Sequence, residues 1–176
     1  MTESNFIIGG ALVALIGAIS DVRSARIPNW LTYTAAISAL VLRVMFLGFS
    51  GFKSGAIGML IAGGLFLILF VLGAMGGGDM KLMAAVGIWV GGAQVGLLLV
   101  TAAMAGGVLA LTAVVRQQAL GETALNIAEL LRHGLTAGPS AHPTLSVQAA
   151  GSRRVPFGVA IAVGTLFCVC NAVWWR

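Results

Sequence analysis

Apolar residues in this chain come in long blocks. They show neither the alternation of a half-buried strand nor the one-sided stripe of a soluble helix. Six blocks stand out, running roughly from Phe6 to Ser20, Trp30 to Gly48, Ser54 to Met75, Lys81 to Gly91, Ala93 to Val115 and Val155 to Trp174. A helix needs roughly 20 apolar residues to cross the hydrocarbon core, so the pattern predicts an all-α, polytopic membrane bundle of about six helices. The fourth block is the shortest and crosses only if the loops around it are also embedded. Gly91-Gly92 predicts a tight hairpin between the fourth and fifth helices; one kinked span with a surface piece over 81–115 is the alternative.

The polar positions between the blocks set an orientation. Arg23 and Arg26 fall in the first loop, Lys81 in the third, and Arg116, Arg132, Arg153 and Arg154 in the long fifth. The second loop has only Lys53 and the fourth has no charge. Excess Lys and Arg marks cytoplasmic loops, which predicts both termini outside the cytoplasm. Residues 116–154 form the one sizeable water-exposed segment. Within it, "GETALNIAELLRHG" puts Leu125, Ala128 and Leu131 on one face, as in a short amphipathic helix.

Composition agrees with the pattern. Hydrophobic residues make up 59% of the 176 positions and charged residues 9%, with a mean hydropathy of +1.03. A soluble domain carries about a quarter charged residues, so a water-soluble domain is excluded and residues 1–176 read as one transmembrane domain. The start "MTESN" has no basic region, so the first block reads as a retained helix and not as a secretory signal. The net charge of +5 speaks of orientation and not of nucleic acid. Cys168 and Cys170 sit two apart on a helix and point to different faces, supporting neither a disulfide nor a metal site. His133 and His142 have no partner ligands nearby in sequence, and no metal or cofactor is expected.

Two of the five acids lie at block ends: Asp21 in "GAISDVRSARIPNWLT" and Asp79 in "GGGDMK". Chain parity returns both to the same side of the membrane. Ionisable groups near the hydrocarbon core are functional candidates, and two facing carboxylates that share one proton perform general acid and base work on a peptide bond. Gly76, Gly77 and Gly78 would let the backbone approach a substrate and adopt angles closed to other residues. Asp79 would cap the fourth helix, and Lys81 would add positive field beside it. Pro28 stands near the first turn of the second helix, in an ordered re-entry formed by Arg26, Ile27, Pro28 and Asn29. Taken singly, Asp79 reads as a helix cap and Asp21 as an interfacial charge paired with Arg23 or Arg26. Arg43, inside the second block, reads as a residue that snorkels or pairs within the bundle.

Three motifs in order carry a family resemblance. "GGGDMK" resembles the GxGD motif of intramembrane aspartyl proteases, "SDVRSARIPNWLT" resembles the first-aspartate region of type IV prepilin peptidases, and "RRVPFGVAIAVG" resembles the Pro-Phe-Gly stretch opening the last helix of that family. The chain lacks the paired Cys-x-x-Cys motifs of the bifunctional enzymes, and so resembles the short, peptidase-only, CpaA/TadV-like form. The resemblance implies an aspartic endopeptidase with Asp21 and Asp79 as catalytic residues. Gly76 and Gly78 match the motif glycines, with Gly77 between them. Lys81, Arg26, Pro28, Asn29, Pro156, Phe157 and Gly158 match family positions that shape the site or bind substrate. Its implied partners are prepilins and pseudopilins, cleaved after a glycine at the cytoplasmic face of the bacterial inner membrane. Methyltransferase activity is not expected. A small proton-coupled transporter and a non-enzymatic membrane assembly subunit are the rival classes.

Overall fold

The computed structural model describes residues 3–116, 129 and 155–174. Among these the regular elements are all α-helices, in the order α1 (Glu3–Ser24), α2 (Asn29–Val71), α3 (Gly77–Val90), α4 (Val95–Arg116) and α5 (Phe157–Trp174). All except α3 are long and apolar enough to cross a membrane. The amphipathic helix expected within 121–134 lies outside the described residues, apart from Glu129, as do His133 and His142.

The second and third blocks join into the 43-residue α2, which is interrupted at Gly48 with φ 63° and ψ −151°. Eight residues of straight helix advance about 12 Å. A β-carbon on Gly51 would nevertheless lie 2.5 Å from the Arg43 carbonyl oxygen, and one on Gly55 2.9 Å from Arg43 Cδ. The chain therefore folds back at Gly48 into two arms, 29–47 and 49–71. The left-handed φ there is one that glycine adopts without a Cβ clash. The second arm stops at Val71, not at Met75 as the apolar run suggested. The Gly73 amide donates to the Phe70 carbonyl at 3.0 Å and the Ala74 amide to the Leu69 carbonyl at 2.9 Å. With Gly73 at φ 73°, this is a Schellman stop, hidden in the sequence by the apolar Leu72, Ala74 and Met75 around it.

α3 fills the cleft of this hairpin. The Trp89 indole N–H donates to the Ala35 carbonyl of the first arm. A β-carbon on Gly58 of the second arm would run into the Gly87 carbonyl. On the side facing α1, Gly10 abuts Trp89 and Gly17 abuts Leu82. The eight residues Leu82, Met83 and Ala85–Val90 are all buried, so the block that looked too short to cross alone is the centre of the bundle. The turn at Gly91 is tight, with φ 78°. However, α4 does not fold back along α3; it packs on α5, where Gly164 abuts Ala102.

Small residues make these approaches possible, and many large ones face outward. Ala14, Ala39, Ala62, Ala102 and Ala160 are buried, whereas Leu12, Met45, Leu60 and Met104 are exposed. That arrangement suits lipid, where helices gain little by hiding leucine and much by packing closely.

Arg43 is the exception in this interior: its side chain is 0% exposed. Its Nε donates to the Ile88 carbonyl at 2.7 Å and Nη2 to the Trp89 carbonyl at 3.0 Å. These are C-terminal carbonyls of α3, which have no partner within the helix. Nη2 also reaches Glu3 Oε2 at 3.0 Å, and the guanidinium lies 4.9 Å from the Phe6 ring centre. Glu3 is 56% exposed, so losing its partner strands no buried charge. Removing Arg43 strands two carbonyls. Arg43→Met should therefore lower unfolding stability in detergent by about 3 kcal/mol. Glu3→Gln takes the carboxylate charge from the buried guanidinium but leaves its carbonyl and ring contacts, and should cost about 1.5 kcal/mol. Equal losses would mean that the ion pair, and not the capping of α3, is what matters.

Candidate active site

The last turn of α1 carries Asp21, and the helix continues to Ser24 before turning at Ala25, whose φ is 49°. A left-handed alanine is unusual, and local hydrogen bonds hold it. The Ala25 amide donates to the Asp21 carbonyl at 2.8 Å. Ser20 Oγ donates to the Arg26 carbonyl at 2.9 Å, and Ser24 Oγ, 3.2 Å from the same carbonyl, donates to the Ser20 carbonyl at 2.7 Å. Pro28 then serves as the N-cap residue of α2, with extended backbone. The neighbouring Ile27 is buried, and a β-carbon on Gly78 would lie 3.3 Å from its Cβ. The α1–α2 turn is thus seated on the start of α3.

The start of α3 differs from expectation. Gly76 is the N-cap, with φ −77°, and Gly77 and Gly78 are already helical. Asp79 is therefore the third helical residue and not the cap, and the left-handed glycine of this region is Gly73. Space is what these glycines supply. A β-carbon on Gly76 would lie 3.0 Å from Asp79 Oδ2, and one on Gly77 would lie 3.3 Å from the Phe70 ring. Lys81 Nζ donates to Asn29 Oδ1 at 2.9 Å and lies 5.4 Å from the Tyr33 ring centre. It ties α3 to the first turn of α2.

The start of α5 closes the group. Phe157 packs against Phe66 of α2, ring centres 5.7 Å apart, and against Gly106 of α4, where a β-carbon would strike its ring. The Gly158 amide donates to Asp21 Oδ2 at 2.9 Å.

These three segments enclose an open cavity of about 830 Å³. Asp21, Arg26, Pro28 and Asn29 line it from the first turn, Gly76, Gly77, Gly78 and Asp79 from the start of α3, and Pro156 and Phe157 from the start of α5. Of the residues singled out in the sequence, Lys81 and Gly158 do not line it; each holds a residue that does. Phe70, Ile27, Ser20 and Ser24 were missed. The two serines, four apart before Arg-Ile-Pro, offered a signal as local acceptors and donors at a helix end. Phe70 offered none among so many apolar neighbours. Two carboxylates at one cavity, with apolar walls and an adjacent open end, suit acid–base chemistry on a polar bond within an otherwise apolar segment.

The model of the type IV leader peptidase family matches residues 8–111 of the chain. That stretch holds both aspartates and all three glycines, while Pro156, Phe157 and Gly158 lie beyond it. No curated protein and no solved structure matches the chain.

The seating of the first turn on α3 is open to direct measurement. With Cys168 and Cys170 replaced by alanine, the pair Ile27→Cys and Gly78→Cys should form a disulfide under mild oxidation, because bridged β-carbons sit about 3.5–4.5 Å apart. Mobility shift after proteolysis between the helices reads it. Failure to crosslink would show that the two motif segments do not meet.

Proposed function

The chain belongs to the type IV leader peptidase family, and on that premise we propose that it is an aspartic endopeptidase that removes the leader from type IV or Flp-type prepilins and pseudopilins. The observation that carries this reading is one cavity lined by two carboxylates 58 positions apart in sequence. Asp21 and Asp79 are the proposed catalytic residues. A prepilin would lie with its apolar segment against the bundle and its basic leader in the cytoplasm, the scissile bond entering the cavity between them. Six crossings, counting each arm of α2, would leave both termini outside the cytoplasm of a bacterial inner membrane. The loop charges support that orientation, because Arg23, Arg26 and Lys81 belong to the same end of the bundle as the cavity.

The chemistry needs one proton shared between the two carboxyl groups. A water held between them gives a proton to the ionised carboxylate as its oxygen bonds to the scissile carbonyl carbon. The protonated carboxyl gives its own proton to the carbonyl oxygen, which leaves a neutral gem-diol. The first carboxyl then passes its proton to the departing nitrogen as the C–N bond breaks. One hydroxyl proton of the gem-diol returns to the second carboxylate. The products are a free carboxylic acid on the leader and a free amine on the pilin, and the pair ends as it began.

Asp21→Asn and Asp79→Asn should each lower the rate of prepilin cleavage by about 10³-fold or more, with the protein still inserted at wild-type level. Leader loss on a gel, in membranes holding both proteins, is the measurement. Cleavage at the wild-type rate by either variant overturns the assignment.

A further inference from the structure

The hydrogen bond between α5 and Asp21 has a use beyond holding two helices together. Resting on the peptidase reading above, we infer that Gly158 is a positioning residue: its backbone N–H fixes the Asp21 carboxylate through Oδ2 and leaves Oδ1 as the oxygen that meets water and substrate.

The geometry is specific. Gly158 is the second residue of α5, and the Pro156 carbonyl accepts from the Val159 amide at 3.2 Å. A first-turn N–H has no acceptor inside its own helix, so the Gly158 amide must find one elsewhere. It finds Oδ2 at 2.9 Å, across 137 positions of sequence. Pro156 has no N–H to compete for the carboxylate. Phe157, wedged between Phe66 and Gly106, stops the start of α5 from sliding.

Residue 158 must also be small. A β-carbon there would lie 3.1 Å from both Asp21 Cβ and Asp21 Oδ2, and 3.3 Å from Ala18 Cα. The alanine backbone is not free to yield, so the carboxylate would have to turn. An N–H aimed at Oδ2 occupies one of its lone pairs and makes that oxygen the weaker base of the two. Proton exchange with water therefore favours Oδ1. The last helix therefore takes part in the reaction without contributing a side chain to it.

A purely structural cap gives a different set of outcomes from a positioning role. Replacing Gly158 by glycolic acid turns the amide N–H into an ester oxygen and changes no side chain. In proteoliposomes with a prepilin substrate, kcat should fall about 10²-fold, the loss that a misplacement near 1 Å produces. KM should stay at the wild-type value, and the unfolding midpoint should fall by no more than the loss of one hydrogen bond produces; a purely structural cap would show that shift without the fall in kcat. Gly158→Ala keeps the N–H but crowds the carboxylate, and should also lower kcat. A readout independent of activity is the Gly158 amide proton shift in a ¹⁵N-labelled sample. Asp21→Ala should move it upfield. Asp21→Asn, which keeps an acceptor oxygen, should largely preserve it while cleavage is lost. Wild-type kcat in the ester variant, or an amide shift indifferent to Asp21→Ala, overturns the inference. Absence of cleavage by the wild-type protein would instead overturn the peptidase reading, and the amide shift would still test the contact.

Discussion

A short helix buried on all sides has two ends that must be satisfied away from water, and the rest of this bundle is arranged around that requirement. α3 is 14 residues long, about 21 Å at the usual rise, with other helices around it. Its last carbonyls would be orphaned in an apolar interior, where each unsatisfied group costs about 1–3 kcal/mol. Arg43 answers them, brought there by the fold-back at Gly48. At the opposite end no such plug exists. The first turn of α3 opens into the cavity, where Asp79 and the glycines stand. One end of the helix is sealed by an internal cation and the other is left available for chemistry.

The site end is assembled from the turn after α1, the turn after α2 and the start of α5, with one physical theme, the disposal of backbone groups at helix ends. The Ser20 hydroxyl takes the Arg26 carbonyl after α1, a Schellman turn takes the carbonyls of Leu69 and Phe70 after α2, and Asp21 takes the Gly158 amide of α5. In each case a polar backbone group near a helix end finds a partner in the segments around the cavity. The same interactions that make the termini tolerable in the membrane fix the positions of the cavity walls. Stability and geometry come from the same bonds.

Much of this was legible in the sequence. The apolar blocks foretold helices. Asp21 and Asp79 stood out because carboxylates are costly at such depths. The parity of the blocks put them at one end, where the cavity is found. What escaped was local or long-range. The stop at Gly73 was masked because its neighbours are as apolar as the helix it ends. The freedom assigned to Gly76, Gly77 and Gly78 was misjudged because a glycine kept for space looks the same in a sequence as one kept for its angles. The hydrogen bond from Gly158 was out of reach, since backbone donors leave no trace in residue identity and the two partners are 137 positions apart. Arg43 announced a buried partner but not that its main partners would be carbonyls.

The seam between α1 and α3 carries a consequence for how such a chain can vary. Gly10, Ala14, Gly17 and Ala18 lie along the buried face that Asp21 continues, and Gly10 and Gly17 meet Trp89 and Leu82. The opposite face of α1, with Leu12, Ile16 and Ile19, is exposed and asks only for apolar bulk. Exchanges among Leu, Ile, Val and Phe there leave the seam untouched. A single inserted or deleted residue between Gly17 and Asp21 is another matter. It changes neither hydropathy nor helix propensity, yet it rotates everything beyond it by about 100° and swings the carboxylate from the cavity toward lipid. The outer face of α1 is thus free in letters, while the spacing from Gly17 to Asp21 is rigid in count.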